Sequence, residues 1–136
     1  MKPTPLVLIV DDDLDIANML ARSLERRGFR IEPITSPDEA LRRAETTVYD
    51  AALVDLVMPE RDGVALATGL RERIPGLPVA ILTGYPHSPL ISEARSAGVF
   101  VFKKPTPIQD LVAYLESEIP RDRRQPQRGE TEDTEG

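Results

Sequence analysis

Short apolar runs alternate five times with segments of helical spacing, and this alternation constrains the fold more than any other feature of the sequence. Runs such as 6–10 are apolar throughout, which is typical of parallel strands covered on both faces. The intervening segments repeat apolar residues every three or four positions, as amphipathic helices do. The alternation predicts an α/β domain with a parallel sheet. The predicted strands are 6–10, 29–34, 51–54, 79–82 and 99–102.

Glycines, prolines and small polar residues indicate where these elements begin and end. Gly28 and Gly98 are expected to close the first and fourth helices as C′ residues. Pro33 cannot donate a hydrogen bond to a ladder, so it predicts that the second strand lies at an edge of the sheet. Two capping boxes are predicted to open the second and fifth helices. They comprise Ser36, Pro37 and Glu39 in the first case and Thr106, Pro107 and Gln109 in the second.

The length of 136 residues suits one domain, and residues 1–120 contain all five strand and helix units. Residues 121–136 contain no aliphatic or aromatic side chain apart from Pro126. Such a segment cannot bury enough surface to offset the entropy lost on ordering. We therefore expect one domain over residues 1–120, followed by a charged, disordered tail or linker stub over 121–136.

Charge and composition exclude several classes of protein. A formal net charge of −6 and a pI near 4.8 argue against direct binding to nucleic acid, which usually needs a basic face. The longest apolar run, 5–10, is far too short to span a membrane, and it leads into three aspartates where a secretory signal would have a cleavage site. The chain has no cysteine, which excludes disulfides and thiolate metal sites. A cytoplasmic location is the expectation.

Acidic, hydroxyl and ammonium groups follow the predicted strands, where open parallel sheets bind their ligands. Acids that converge at strand ends repel one another, and a hard divalent cation with oxygen ligands keeps them ionised. A cation, a lysine and a hydroxyl could together bind a phosphoryl group, while one carboxylate acts as the nucleophile. The residues concerned are Asp11, Asp12 and Asp13 after strand one, Asp55 after strand three, Thr83 after strand four, and Lys103 and Lys104 after strand five.

Four segments in order make the chain resemble the response-regulator receiver domains, including the small chemotaxis type without an output domain. They are VDDD, DLVMPERDG, LTG and KP, and each follows a predicted strand. The resemblance covers about residues 5–119. It implies a doubly wound, flavodoxin-like (βα)5 three-layer sandwich with strand order 2-1-3-4-5.

The resemblance also implies roles for individual residues. Asp55 would be the phosphoacceptor, Thr83 would move toward the phosphoryl group, and Lys104 would pair with it. The Lys104–Pro105 bond would be cis. Mg²⁺ (or Mn²⁺) would be the cofactor. Its ligands would be Asp12 directly, Asp11 mainly through a bound water, Asp55, and the backbone carbonyl of Val57.

Partners follow from the same resemblance. A sensor histidine kinase or a phosphotransfer protein would donate the phosphoryl group to Asp55. The chain itself would turn over no substrate beyond slow loss of its own phosphoryl group. Output would pass to a downstream protein through the face around strands four and five.

Three departures from the family pattern bear on these roles. The stretch between Gly98 and the Lys-Pro pair is one residue short, which leaves Lys103 as a competitor of Lys104. The family's switching aromatic is replaced by Val101, with phenylalanines on either side. Val57 and Tyr85 occupy the positions that control water access in the family, and they suggest slow self-hydrolysis.

Two other functions remain open. Asp11 and Asp13 fit the D-x-D start of a Mg²⁺-dependent phosphatase of the haloacid-dehalogenase type. Asp15 departs from that pattern, and the chain has no room for that family's cap domain. The third possibility is a receiver fold that binds partners without phosphorylation as its trigger.

Overall fold

A computed structural model describes residues 4–120 of the chain. Strands and helices alternate strictly along this part of the sequence. The strands are β1 (Leu6–Val10), β2 (Arg30–Ile34), β3 (Ala51–Asp55), β4 (Val79–Thr83) and β5 (Phe100–Lys103). The helices are α1 (Leu14–Glu25), α2 (Pro37–Ala44), α3 (Gly63–Arg73), α4 (Leu90–Ser96) and α5 (Ile108–Glu118).

The five strands form one parallel sheet in the order β2-β1-β3-β4-β5, which confirms the predicted fold class. β2 lies at an edge, as Pro33 indicated, and Pro33 pairs in register with Ile9. A parallel strand order that reverses beside β1 places a ligand crevice at the carboxyl ends of β1 and β3.

Two apolar cores cover the two faces of the sheet. Alternate residues of β1 enter different cores: Leu8 packs with α2, α3 and α4, whereas Ile9 packs with α1 and α5. Both side chains are essentially inaccessible to solvent. The uninterrupted apolar run of this strand is therefore explained by burial on both faces.

The helix ends predicted from glycine are confirmed. Gly28 and Gly98 have φ angles of +98° and +74°, a region that side chains with a Cβ rarely adopt. The amide of the residue after each glycine donates back to the helix, from Phe29 to Leu24 over 3.4 Å and from Val99 to the carbonyl five residues earlier over 2.9 Å. These are the hydrogen bonds of Schellman C-caps.

One predicted capping box forms in part and the other does not form. Ser36 Oγ accepts a hydrogen bond from the Glu39 amide over 3.2 Å, as expected for an N-cap. The prediction for α5 was wrong, because Pro107 is its N-cap and no side chain caps the helix. The Thr106 hydroxyl instead donates to the Lys103 carbonyl over 2.8 Å, so it is engaged with the end of β5.

Three further expectations concern the chain as a whole. The Lys104–Pro105 peptide is cis. Within residues 4–120, every helix is too short or too polar to cross a lipid bilayer. The expected disordered tail over 121–136 lies outside the described residues.

Candidate functional site

Three carboxylates meet at the carboxyl ends of the neighbouring strands β1 and β3. Asp55 is the last residue of β3, and Asp11 and Asp12 directly follow β1. One oxygen from each of the three lies within 4.8 Å of the others. Asp11 is buried, Asp55 is partly buried and Asp12 is exposed, so the cluster opens to solvent on one side. These are the three acidic residues that the sequence assigned to a cation.

Lys104 completes this cluster. Its Nζ lies 3.1 Å from Asp55 Oδ1 and 3.3 Å from Asp11 Oδ2. The Lys104 amide donates to the Thr83 carbonyl over 2.8 Å, which extends the pairing of β4 with β5 by one residue and aims the side chain at the neighbouring strand ends. Lys103 is exposed. Of the two candidate lysines, the structure therefore brings Lys104 to the carboxylates.

Burial and the charges of the cluster shift two pKa values. Burial raises the pKa of Asp55, and the nearby Asp11 carboxylate adds to this effect. The charge and hydrogen bond of Lys104, together with the Leu56 amide, lower it by a smaller amount. Burial alone would lower the pKa of Lys104, but the charges and hydrogen bonds of Asp11 and Asp55 outweigh burial and raise it. The lysine therefore stays protonated between two carboxylates.

Asp13 has a structural role at the start of α1. Its Oδ1 accepts hydrogen bonds from the amides of Asp15 (3.0 Å) and Ile16 (3.4 Å), which makes it the N-cap. The Asp13 amide donates to Asp11 Oδ1 over 2.9 Å, so the same turn orients Asp11. Asp13 does not belong to the three-carboxylate cluster. Asp13 caps α1, where a phosphatase of the haloacid-dehalogenase type would use it in the site, and that alternative is not supported.

The loop between β3 and α3 folds back tightly on Asp55. The Gly63 amide donates to the Leu56 carbonyl over 2.8 Å, and the Leu56 amide donates to Asp55 Oδ1 over 3.0 Å. A Cβ at position 63 would lie 2.5 Å from the Asp55 carbonyl oxygen and 3.0 Å from Leu56 Cα. Only glycine lets α3 begin this close to the backbone of Asp55.

The remaining predicted site residues lie around the cluster. Thr83 ends β4, is fully buried, and accepts a hydrogen bond at Oγ1 from the Tyr85 amide over 2.9 Å. Val57 and Tyr85, the two positions linked to water access, have 47% and 62% of their surface exposed. Both side chains thus remain open to solvent on loops that leave the strand ends.

Val101 and its neighbour Phe102 on β5 face opposite sides of the sheet. Val101 packs against the core beside α4, whereas Phe102 packs against the core beside α5. Phe100, Phe102 and Tyr114 form a cluster with ring centroids 4.8–5.8 Å apart. Sequence reasoning missed Tyr114, whose only signal was its position on the buried side of α5.

The donor set fits a hard divalent cation. Carboxylate oxygens are the ligands that Mg²⁺ and Mn²⁺ prefer, and three of them lie within reach of a single ion here. The ammonium group of Lys104 supplies one positive charge against three negative ones. The cluster therefore has the chemistry to hold a cation and to receive a phosphoryl group.

The strand order 2-1-3-4-5, with acids and a lysine at the strand ends, is the arrangement of the receiver domains of two-component signalling systems. The family model described as response regulator receiver domain matches residues 7–116, and the chain belongs to this family.

Curated relatives are response regulators of different lengths. The response regulator receiver protein CpdR of Brucella abortus is 30% identical over 116 residues, which cover 81% of this chain and 92% of that protein. The transcriptional regulatory protein PrrA of Mycobacterium leprae is 41% identical over 80 residues, which cover 59% of this chain. The match spans only 34% of PrrA and 27% of the regulator NtrC of Proteus hauseri.

Solved structures place the fold in the same family. A CheY-like receiver domain protein from Methanospirillum hungatei has a TM-score of 0.79 at 27% identity, with 84% of this chain and 92% of that chain covered. A response regulator from Burkholderia pseudomallei, solved with a phosphorylated aspartic acid, a calcium ion and citrate, has a TM-score of 0.75 at 27% identity. That comparison covers 96% of this chain and 71% of the other.

Proposed function

We propose that this chain is the phosphoacceptor of a two-component pathway, in which Asp55 receives a phosphoryl group and the surface around β4 and β5 then binds a downstream protein. The observation that carries the proposal is the contact of Lys104 Nζ with both Asp55 and Asp11. It places a fixed positive charge beside a carboxylate that is otherwise surrounded by negative charge.

In the proposed reaction, a carboxylate oxygen of Asp55 attacks the phosphorus of a phosphohistidine. The phosphorus–nitrogen bond breaks, and the imidazole leaves with the electron pair and takes a proton from solvent. Asp55 is suited to this role because one face of the cluster is open and the hydrogen bond from the Leu56 amide orients its carboxylate. Lys104 would then pair with a phosphoryl oxygen, as ammonium groups do with phosphate.

The residues that would hold Mg²⁺ (or Mn²⁺) are Asp11, Asp12, Asp55 and the carbonyl of Val57. When bound, the cation would supply positive charge that offsets repulsion among the carboxylates and the phosphoryl oxygens. Thr83, whose Oγ1 now accepts a hydrogen bond from the Tyr85 amide, would move toward the phosphoryl group and donate its hydroxyl proton to a phosphoryl oxygen. That rearrangement, carried along β4 and β5, is the proposed signal.

The proposal extends to partners and organisation. A sensor histidine kinase or a phosphotransfer protein is the proposed donor, and residues 1–120 are the proposed receiver unit with 121–136 as a charged tail or linker stub. A cytoplasmic location belongs to the same proposal. Support comes from membership of the receiver family, whose relatives here include CpdR and NtrC.

Beryllium fluoride, a mimic of the phosphoryl group, tests the switch directly. We expect its addition with Mg²⁺ to shift the backbone NMR signals of Thr83, Tyr85, Lys104 and β5, and to leave Asp55→Asn unchanged. Signals that shift equally in Asp55→Asn, or that do not shift in the unsubstituted protein, would reject phosphorylation as the trigger. A receiver that responds to partners alone would give the second outcome.

A further inference from the structure

The loop between β3 and α3 contains a turn of unusual backbone geometry. Glu60 has φ of +76°, and it is the only residue other than glycine with a positive φ among residues 4–120. The Arg61 amide donates to the Pro59 carbonyl over 2.8 Å, two residues back. This pairing around a central residue at positive φ is a classic γ-turn, which is rare and strained. Such strain persists only where surrounding contacts hold it.

Those contacts come from the start of α2. The Arg61 guanidinium donates to Asp38 Oδ1 through Nε (3.3 Å) and Nη2 (3.1 Å). The Ser36 hydroxyl lies 3.4 Å from Glu60 Oε1. Two consecutive loop residues are thus tied to the N-terminal turn of a helix that is itself anchored in the core through Ala40.

The same loop runs directly from Asp55 and carries Val57, the proposed backbone ligand. Between Asp55 and Gly63 the chain is held at one end by β3 and at the other by the close contact of Gly63 with the Asp55 carbonyl. The γ-turn lies between Asp55 and Gly63. Its geometry therefore determines the path of the loop backbone, including Val57, beside the carboxylate cluster.

We propose that Arg61 and Asp38 are positioning residues for the cation site: their ion pair ties the β3–α3 loop to α2 and holds the strained turn at Glu60, and this keeps Val57 and Asp55 in a cation-binding arrangement. The inference rests on the proposed function, because it assumes that the cluster binds Mg²⁺. Neither residue touches the carboxylate cluster, so they act through the loop backbone.

The direction of the effect separates positioning from simple electrostatics. Removal of the Arg61 positive charge would by itself strengthen the binding of a cation nearby. A positioning role predicts the reverse, weaker binding. Because the pair is 40–46% exposed, the expected effect is modest, about two- to five-fold in affinity.

The test uses the full chain and Mg²⁺ as the probe, with affinity measured by calorimetric titration. Arg61→Gln and Asp38→Asn should each weaken Mg²⁺ binding by about two- to five-fold, and the double variant should be no weaker than the weaker single variant. Arg42→Gln is the matched control, since Arg42 is an exposed arginine of α2 that pairs with Glu39 and not with the loop. We expect it to bind Mg²⁺ as tightly as the unsubstituted protein, or slightly more tightly.

Hydrogen exchange of backbone amides, measured without metal, tests whether the Arg61–Asp38 ion pair holds the loop. In Arg61→Gln the amides of Arg61 and Gly63, both hydrogen-bonded within the loop, should exchange at least about three-fold faster, while those of β1 and β3 stay unchanged. Unchanged exchange, unchanged or tighter Mg²⁺ binding in Arg61→Gln, or fully additive effects in the double variant would each overturn the inference. If the unsubstituted protein bound no Mg²⁺ while the exchange result held, the proposed function would fail and the tie would remain a structural feature only.

Discussion

Lys104 Nζ lies 3.1 Å from Asp55 Oδ1, although the two residues are 49 positions apart in the sequence. The contact is made past β4, which lies between β3, where Asp55 is the last residue, and β5, which Lys104 directly follows. It places an ammonium group at the carboxylate proposed to become a mixed anhydride with phosphate. The proposed phosphorylation depends on this pair.

The two lysines should differ sharply in function. Lys104→Gln removes the charge beside Asp55, and we expect it to slow phosphorylation by acetyl phosphate by about ten-fold or more, as loss of a donor to a developing anion does. Lys103→Gln removes the same charge from an exposed side chain next to it and should change the rate by less than about two-fold. Rates from quenched time courses measured by intact mass decide this, and equal effects of the two substitutions would contradict the assignment.

Mg²⁺ should stabilise the folded protein. A ligand that binds only the native state at about 100 times its Kd adds about 2.7 kcal/mol to the free energy of unfolding. Asp12→Asn should lose most of this gain, because it removes one of the three carboxylates. Asp13 lies outside the cluster, and asparagine is also a good N-cap residue. Asp13→Asn should therefore keep the stabilisation by Mg²⁺. Urea unfolding with Mg²⁺ and with EDTA measures both, and an equal loss in the two variants would argue against the proposed ligands.

Without metal, Asp55→Asn should stabilise the protein at neutral pH. The folded state raises the pKa of Asp55 mainly through burial, so the folded state binds the proton more tightly than the unfolded state does. The free energy of unfolding therefore falls as the pH rises from the pKa of Asp55 in the unfolded chain, about 3.9, through its raised pKa in the folded protein. It stays lower at every pH above that.

The Asn variant lacks this titration. Its advantage over the unsubstituted protein should appear as the pH rises through that window and then stay constant. Urea unfolding in EDTA across the acidic range gives the profile. An advantage that shrinks with rising pH would show that the sign is wrong.

Gly63→Ala should damage the site through the backbone. Its Cβ would lie 2.5 Å from the Asp55 carbonyl oxygen, so either β3 or the start of α3 must shift. We expect a loss of about 1–3 kcal/mol in the free energy of unfolding and displaced NMR signals for Asp55 and Leu56. Gly84→Ala is the control, because a Cβ there meets nothing within 4 Å. A cost for Gly63→Ala no larger than that for Gly84→Ala would contradict the role of the close contact, because the change in chain entropy from Gly to Ala is by itself stabilising.

Much of the site was predictable because parallel strands gather their carboxyl ends at one edge. Asp11, Asp12 and Asp55 each follow an apolar run, and no knowledge of register was needed to place them together. The choice between Lys103 and Lys104 did need register. It depends on the hydrogen bond that carries the β4–β5 pairing one residue beyond the strand, which spacing alone does not give.

Other features were beyond local reasoning. The capping box at Thr106 was predicted from sequence and did not form, because the helix begins one residue later, with Pro107 as its N-cap, and the Thr106 hydroxyl donates to the Lys103 carbonyl. The positive φ of Glu60 carries no residue signal, since glutamate gives no indication of a γ-turn. Its support comes from Ser36 and Asp38, more than 20 positions earlier in the chain.

The most direct test of the central claim is peptide mass spectrometry after treatment with acetyl phosphate and Mg²⁺. We expect one phosphoryl group per chain, located on Asp55, abolished by Asp55→Asn and strongly reduced by EDTA. A phosphoryl group on another residue, or labelling that persists in Asp55→Asn to the same extent, would contradict the account.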